Sequence, residues 1–458
     1  LNFPVTIYNM ALEMISRGDA SLMNIVGLQD IAVTIERFAD ERTKQEYLPR
    51  FCSGEVTGAM VLTEPEAGSD LQAVQLKATE DTQAGCWRLN GVKRFITNGC
   101  GDVLLVLARS EEGTKGAKGL SLFLYERDDT IKVRRLEDKL GIRGSPTCEL
   151  QFRNSPARLI GKRRFGLIRY VMSLMNGARL GVAVQALGIA EAAYHEALKY
   201  AREREQFGKK IIEFPAVYDM LSTMRMDIEL TRSLILATSK AVDMEEALER
   251  RVARGDTSLK ERHKHYSRLA SALTPISKYY ASEMANRVTT TAIQVHGGPG
   301  YMRDFNVERH FRDARITNIY EGTSQLQVVA AIGPVLTGVM GEEFSRLSQG
   351  PWGEHEVLAA RLSSCRELYE GALAFVREKR DSEYTDYHAR RLVDMAAEIY
   401  MGHLILGEAR LSQRKALLAQ KYISDLLPRV RMNAEQVSCG DRSVIDHRSE
   451  ILGTDSRK

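Results

Sequence analysis

The spacing of apolar residues changes twice along this chain of 458 residues, and these changes limit the folds that the sequence can adopt. Up to residue 57, apolar residues recur at three- and four-residue steps, as in IYNMALEMISRGDASLMNIVG, which is typical of amphipathic helices. Asp40 is placed to cap the next helix, ERTKQEYLPRFCSG, and Gly54 to end it. We therefore predict an N-terminal helical domain over residues 1–57.

Residues 58–156 have a different pattern, in which short apolar runs such as VLLVLA and LSLFLY alternate with turn-like clusters. This pattern predicts a small antiparallel β domain, either a barrel or a sandwich. Within it, Asn90 and Gly91 favour a two-residue hairpin, because this pair suits the positive φ angles of a type I′ turn.

The helical period returns at Gly166, and it predicts a helical bundle over residues 157–335 and a C-terminal helical extension over residues 336–458. The charged interval MEEALERRVARGDTSLKERHKHY, which separates two bundle helices, is interpreted as a solvated helix extension or a loop.

Composition excludes several classes of protein. The formal net charge is only +4, and the C-terminal extension holds nearly equal numbers of acidic and basic residues, which argues against a nucleic-acid partner. No run of eighteen apolar residues occurs, so we expect no membrane span. The six cysteines are far apart and predict reduced thiols, with neither a metal site nor disulfides.

Two motifs point to a function. The segment QVHGGPGYMRDFNVERHFRDARITNIYEGTSQLQ, residues 294–327, places Glu321 between Tyr320 and Gly322, just before an apolar helix. The segment LTEPEAGSD, residues 62–70, lies more than two hundred residues upstream. Together they resemble the C-terminal and flavin-loop signatures of the acyl-CoA dehydrogenases.

The resemblance extends over roughly residues 20–335, and it implies an α+β fold. In this fold, N-terminal helices precede a central antiparallel β domain and a helical bundle. The C-terminal extension resembles the extra helical domain of the longer family members. The first helices of the family's N-terminal domain are expected to be missing from this sequence.

The family reaction is the α,β-dehydrogenation of an acyl thioester, and the resemblance implies that Glu321 is its catalytic base. The alternative is an ordinary acidic residue at a helix N-terminus. Some members carry the base on a bundle helix, but NGARL has Ala178 at that position, which favours Glu321. Arg179 matches an arginine beside the site; a purely structural ion pair is the alternative.

On the substrate side, Ser69, Tyr320, Gly322 and Arg303 are implied to contact the acyl-CoA. The basic group Lys162, Arg163, Arg164 and Arg169 is a further candidate for the CoA phosphates, although a solvated surface explains that group better.

The implied cofactor is FAD. Thr63 and Ser69 in LTEPEAGSD, together with Phe95 and Thr97 in KRFITNG, are expected on the side of the flavin ring, where other members often have Trp at the position of Phe95. The pyrophosphate and adenine are expected to lie between two subunits. The residues implied there are Arg204, Phe207, Gln294, Gly297, Gly298, Thr323 and Gln325. Pro215 departs from the pattern, because many members have a Gln facing the cofactor at that position.

The resemblance predicts an enzyme that passes electrons to an electron-transfer flavoprotein and forms a homodimer or homotetramer. Three rivals stay open: an acyl-CoA oxidase, a non-catalytic member of the family, and a short form that binds no ligand. We expect a cytoplasmic location, or the mitochondrial matrix if a transit segment once preceded Leu1. The acyl chain length is left open by the sequence.

Overall fold

The computed structural model describes residues 3–454, and four helices come first in this part of the chain. As predicted, Asp40 caps the fourth helix, because its side chain accepts a hydrogen bond from the Thr43 N–H at 2.9 Å. The prediction for Gly54 is also confirmed, since it ends that helix with φ 76°. The helices are α1 (Val5–Gly18), α2 (Ala20–Gly27), α3 (Ile31–Phe38) and α4 (Glu41–Ser53).

A seven-stranded sheet follows, and its pairings close into a ring in which β4, β2, β3, β7 and β5 are neighbours in turn and β5 pairs again with β4. Most pairs are antiparallel, but β4 pairs in parallel with β1 and β2, so the expectation of an antiparallel domain holds only in part. The strands are β1 (Gly58–Val61), β2 (Lys77–Asp81), β3 (Cys86–Thr97), β4 (Val103–Arg109), β5 (Leu120–Glu126), β6 (Ile131–Leu136) and β7 (Thr147–Ile160). The strand-rich segment thus extends past residue 156.

Strand β4 is buried on both of its faces, which explains its unbroken apolar run VLLVLAR. Its odd-numbered residues, Val103, Leu105 and Leu107, belong to a core cluster that also contains Ile35 of α3. Its even-numbered residues belong to a second cluster on the opposite face of the strand. This strand is therefore the centre of the β domain.

The predicted hairpin at Asn90 and Gly91 is wrong, because β3 runs straight through both residues. The turn between β2 and β3 lies instead at residues 82–85. Gly91 lies at a β-bulge, because the register between β3 and β7 shifts there and the φ angle of Gly91 is 145°. A Cβ at Gly91 would lie 3.1 Å from the Leu76 Cα, so the close approach of two chains also favours glycine.

Helices dominate the remainder of the chain. The charged interval is confirmed as helix extension, since α6 continues to Ala253 and α7 begins at Lys260. The helices are α5 (Met172–Glu203), α6 (Pro215–Ala253), α7 (Lys260–His296), α8 (Val307–Ala314), α9 (Ser324–Leu336), α10 (Val339–Leu347), α11 (Glu356–Lys379), α12 (Ser382–Glu408), α13 (Gln413–Ser438), α14 (Ser443–Asp446) and α15 (Arg448–Ile451). Two short strands, β8 (Glu205–Gln206) and β9 (Lys209–Lys210), pair between α5 and α6.

The described chain divides into two compact units. The first contains the residues up to Tyr200 together with Ala285–Gly322, and the second contains Ala201–Met284 and the chain from Thr323 onward. The predicted first and last domains also include residues 1–2 and 455–458, which lie outside the described residues.

Within the second unit, α11, α12 and α13 pack on one another, and α12 also packs on α6 and α9. Between residues 3 and 454, no single helix is long and apolar enough to cross a membrane, and only α9 and α10 taken together, with a 70° bend between them, meet that test.

Candidate active site

The loop after β1 carries Thr63 and Ser69, which the sequence assigns to the flavin side. Thr63 is half-buried and Ser69 is exposed. The carboxylate of Glu64 fixes this loop, because it accepts hydrogen bonds from the N–H groups of Gln75 at 2.8 Å and Leu76 at 3.0 Å. The loop is therefore ordered by contacts of its own acidic residue.

A buried ion pair joins this loop to β3. Lys93 is fully buried, and its Nζ lies 2.9 Å from a carboxylate oxygen of Glu64 and 2.7 Å from the Leu62 carbonyl oxygen. Burial lowers the pKa of Lys93 to about 8, against the attraction of Glu64. The Arg94 N–H also donates to the Thr63 carbonyl at 3.0 Å. The segments LTEPEAGSD and KRFITNG thus form one connected surface.

A bulge in β3 presents Phe95 at this surface. The register between β3 and β7 shifts between Lys93 and Ile96, and Phe95 adopts φ 60°. Its ring is 53% exposed, which is unusual for Phe, and the Arg94 guanidinium lies 4.7 Å from the ring centroid. Thr97, at the end of the strand, is half-buried. The bulge aims an aromatic ring away from the core, as bulges near binding sites often do.

The segment that carries Glu321 follows α8 and a short helical turn at 315–318. Glu321 is half-buried and has φ 54°, and Gly322 has φ 84°. The hydroxyl of Tyr320 donates to the side-chain oxygen of Gln185. Burial and the charge of Glu321 raise the pKa of Tyr320 well above its usual value, so this hydroxyl stays protonated.

Arg179 lies close enough to Glu321 for their charges to interact. Burial lowers the pKa of Arg179, and the carboxylate of Glu321 opposes this shift, but a guanidinium remains charged at neutral pH. Its Nη1 donates to the Asn176 side chain at 3.3 Å. Its Nε is buried, and no acceptor among the described residues reaches it. An unpaired buried donor beside a carboxylate fits a site that receives a polar ligand.

The loop QVHGGPG follows the end of α7 and leaves room at its surface. Gln294, Gly297 and Gly298 are exposed, and a Cβ added at either glycine would meet no described atom within 4 Å. At Gly300, by contrast, a Cβ would lie 2.8 Å from the Ile293 carbonyl oxygen, so packing within the chain requires that glycine. Arg303 is exposed, six residues beyond Gly297.

The second unit holds the other predicted cofactor residues. Phe207 stands at the tip of the β8–β9 hairpin with φ 52°, and its side chain is 95% exposed. Arg204 and Gln325 are also exposed. Thr323 caps α9, since its Oγ1 accepts from the Leu326 N–H at 3.4 Å. Pro215 occupies the first turn of α6, a position where proline starts a helix without losing a hydrogen bond.

The basic group before α5 is largely engaged with its own surroundings. Arg163 pairs with Glu111 at 3.0 Å and lies 5.0 Å from the Trp87 ring centroid. The Arg169 guanidinium lies 5.8 Å from the Phe38 ring centroid. These contacts favour the surface interpretation over a phosphate site.

Taken together, the residues of the first unit fit a flavin. This unit offers the hydroxyls of Thr63 and Thr97 and the exposed ring of Phe95. Phe95 and Glu321 are both held at φ angles that side chains rarely adopt. Such angles cluster at functional sites because the surroundings must hold them. The described residues contain no group of three or more His, Cys, Asp or Glu side chains that fits a metal ion.

Three buried residues that make these contacts, Glu64, Lys93 and Gln185, are not among the residues predicted from the sequence. Glu64 and Lys93 lie inside the two quoted motifs, and Lys93 occupies a position of β3 that alternates toward the core. A lysine at a core position of a strand is a signal for a buried partner. Gln185, within an apolar helix, carries the same kind of signal, but its partner is 135 residues away.

Models of four acyl-CoA dehydrogenase domains match the chain in order. They are described as the N-terminal domain (residues 2–55), the middle domain (59–155), the C-terminal domain (168–331) and the "Acyl-CoA dehydrogenase C terminal" domain (337–424). The last of these matches the predicted extension.

Known proteins agree with these models. The short-chain specific acyl-CoA dehydrogenase of Megasphaera elsdenii is 37% identical over 342 residues, which cover 72% of this chain and 82% of the relative. A chain in a solved structure described as the electron transferring flavoprotein of Acidaminococcus fermentans is 36% identical, with a TM-score of 0.64 over 72% of this chain and 82% of that one. An acyl-CoA dehydrogenase of Bacillus anthracis, complexed with FAD, is 22% identical and shares the fold, with a TM-score of 0.76 over 89% of this chain and 73% of its own.

Proposed function

The chain belongs to the acyl-CoA dehydrogenase family, and we propose that it converts an acyl-CoA thioester to the trans-2-enoyl-CoA with FAD as cofactor. Electrons then pass to an electron-transfer flavoprotein. The observation that carries this proposal is the segment Tyr320–Gly322, which holds a half-buried carboxylate at φ 54° beside the half-buried Arg179.

The residues of this segment have the properties that the reaction requires. The α-hydrogen of a thioester is a weak acid, so its removal needs a carboxylate held close to that carbon. Glu321 is the proposed base, and its own N–H is proposed to donate to the thioester oxygen. Arg179 is proposed to hold a positive charge next to the carboxylate, which keeps it ionised until it accepts the proton.

The cofactor surface has a separate role. Bound FAD supplies the acceptor for the hydride that leaves the β-carbon. Thr63, Phe95 and Thr97 are proposed to hold its ring, with Ser69 toward the acyl-CoA. Phe207 and the exposed glycines Gly297 and Gly298 are proposed to contact FAD across a homodimer or homotetramer interface, because a 95% exposed Phe is otherwise unfavourable in water.

An anaerobic titration of the purified protein with a panel of acyl-CoA esters tests the proposal. We expect at least one ester to bleach the flavin absorbance stoichiometrically. Recovery of the colour should be slow in air and fast when an electron-transfer flavoprotein is added, which separates a dehydrogenase from an oxidase. A flavin that no ester bleaches would contradict the proposed reaction, and a protein that binds no FAD would contradict the cofactor.

A further inference from the structure

Gln185 connects the segment of the proposed base to the N-terminal helices. It lies on α5 and is fully buried. Its Nε2 donates to the Ala20 carbonyl at 2.8 Å, and its Oε1 accepts from the Tyr320 hydroxyl. Because a main-chain carbonyl can only accept, the Ala20 contact fixes which end of the amide is nitrogen. The oxygen is thereby directed at Tyr320.

In this arrangement the hydroxyl of Tyr320 must donate its hydrogen bond, because the Gln185 atom that it contacts is an oxygen. Tyr320 is half-buried, and its hydroxyl stays protonated, as described above, so the hydroxyl needs an acceptor. A hydrophobic side chain at position 185 would leave both this hydroxyl and the Ala20 carbonyl without their present partners. A buried polar group that loses its partner is costly, so the neighbouring chain would move to reach another one.

Such a movement would displace Glu321, because Glu321 is the residue that follows Tyr320 in the chain. Glu321 and Gly322 are two successive residues with positive φ, at 54° and 84°. For a residue with a side chain this conformation persists only where the surroundings hold it. The anchored ring of Tyr320 is adjacent to the strained residue, and its hydroxyl is tied to Gln185.

We propose that Gln185 is a positioning residue for Glu321, acting through the hydroxyl of Tyr320. This inference rests on the proposed function, since it assumes that Glu321 removes the proton. Gln185 sets the place of the carboxylate relative to the substrate carbon through its side chain. The main chain of Gln185 makes a separate contact, because its carbonyl accepts a hydrogen bond from Ser16 Oγ at 2.8 Å.

The test compares Gln185→Met, Tyr320→Phe and the double variant with the wild-type holoenzyme in anaerobic stopped-flow experiments. We expect flavin reduction to slow about 10- to 100-fold in each single variant, since a misplacement of about 1 Å has an effect of this size. The double variant should be no slower than the slower single variant, because both changes remove the same hydrogen bond. The FAD dissociation constant of the apoprotein should stay within about threefold of wild type.

Two further variants separate positioning from general stability. Ser16→Ala removes a buried hydrogen bond to the main chain of the same residue, and it should lower the melting temperature without slowing flavin reduction. Gln185→Glu carries, when neutral, one donor and one acceptor like the amide. Its rate of flavin reduction should approach that of wild type at low pH. The rate should fall relative to wild type as the pH rises and the carboxyl group at position 185 ionises.

Unchanged flavin reduction in Tyr320→Phe, or a double variant whose losses multiply, would overturn the role of Gln185 while leaving the proposed function intact. Were Gln185→Met not to fold, Tyr320→Phe and Gln185→Glu would still decide the question. If no acyl-CoA reduces the wild-type flavin, both the proposed function and this inference fall.

Discussion

At the scale of single residues, the most informative feature is a backbone angle. Phe95, Phe207 and Glu321 have φ of 60°, 52° and 54°, and each is a proposed site residue. For bulky side chains this region is costly, on the order of 1–3 kcal/mol per residue. The local backbone preference of these residues therefore disfavours the conformation that the fold imposes on them. The proposed contacts with the cofactor and the substrate give a reason for it.

Replacing the carboxylate of Glu321 by an amide is the direct test at this scale. Glu321→Gln should keep its FAD and its melting temperature within about 3 °C of wild type, because the two side chains have nearly the same shape. Turnover should fall by about 10³-fold or more, since the amide accepts no proton. Flavin reduction measured by stopped flow gives the rate.

The control is Glu354→Gln, the same chemical change at a side chain that is 87% exposed. It should leave turnover unchanged. Near-normal flavin reduction in Glu321→Gln would show that another residue is the base.

At the scale of elements, β3 and the loop after β1 depend on one ion pair. Lys93 and Glu64 are 29 residues apart in the sequence, and their contact fixes the bulge of Phe95 against the loop of Thr63. A charged group this deeply buried is tolerated only with its partner in place. The pair thus couples the order of both predicted flavin segments.

Lys93→Met should therefore cost about 3 kcal/mol of unfolding free energy, at the lower end for a broken buried pair because Glu64 keeps two main-chain donors. It should also weaken FAD binding at least tenfold, measured by fluorescence quenching on the apoprotein. The control is Arg88→Met, on the same strand as Lys93, which removes a partly exposed ion pair with Asp81 of β2. It should cost much less stability than Lys93→Met and leave FAD affinity unchanged. Equal FAD affinity in Lys93→Met and wild type would show that the ion pair of Lys93 and Glu64 does not support FAD binding.

Elements also show what the sequence predicts well. Local signals such as the Asp40 cap and the Gly54 helix end were sufficient, because the capping bonds lie within a few residues. The same local logic failed at Asn90–Gly91, where the approach of Leu76 and the pairing with β7 turned a hairpin signal into a bulge. The motifs identified the family, but the partners Lys93 and Gln185 were missed, since those contacts depend on the tertiary fold.

At the scale of the whole molecule, a charge network ties the C-terminal helices to α6 in the second unit. Glu229 of α6 is buried and pairs with Arg414 at 2.9 Å and Lys415 at 2.7 Å, both on α13. Lys415 also pairs with Glu408 of α12 at 2.7 Å. Burial favours the neutral acid, but the hydrogen bond from Lys415 and the charges of neighbouring arginines outweigh it and lower the pKa of Glu229 to about 2.

This pKa gives stability a defined pH dependence. Because the folded value lies below the unfolded value of about 4.3, the contribution of Glu229 is complete above that value and is lost as pH falls toward 2. Glu229→Gln should lower stability by on the order of 3 kcal/mol near pH 6. Calorimetry of both proteins between pH 6 and pH 3 should show that the difference between their unfolding free energies becomes smaller as the pH falls. A difference that stays constant would contradict the ionic role of this carboxylate.

The division of the first unit into two stretches of chain has a consequence for biosynthesis. That unit takes its first part from the residues up to Tyr200 and its last part from Ala285–Gly322, and Glu321 lies almost at its end. During translation the ribosome must therefore deliver more than eighty intervening residues before this unit can close. Nascent chains arrested before Glu321 should lack the proposed proton acceptor while already carrying the strands of the β domain.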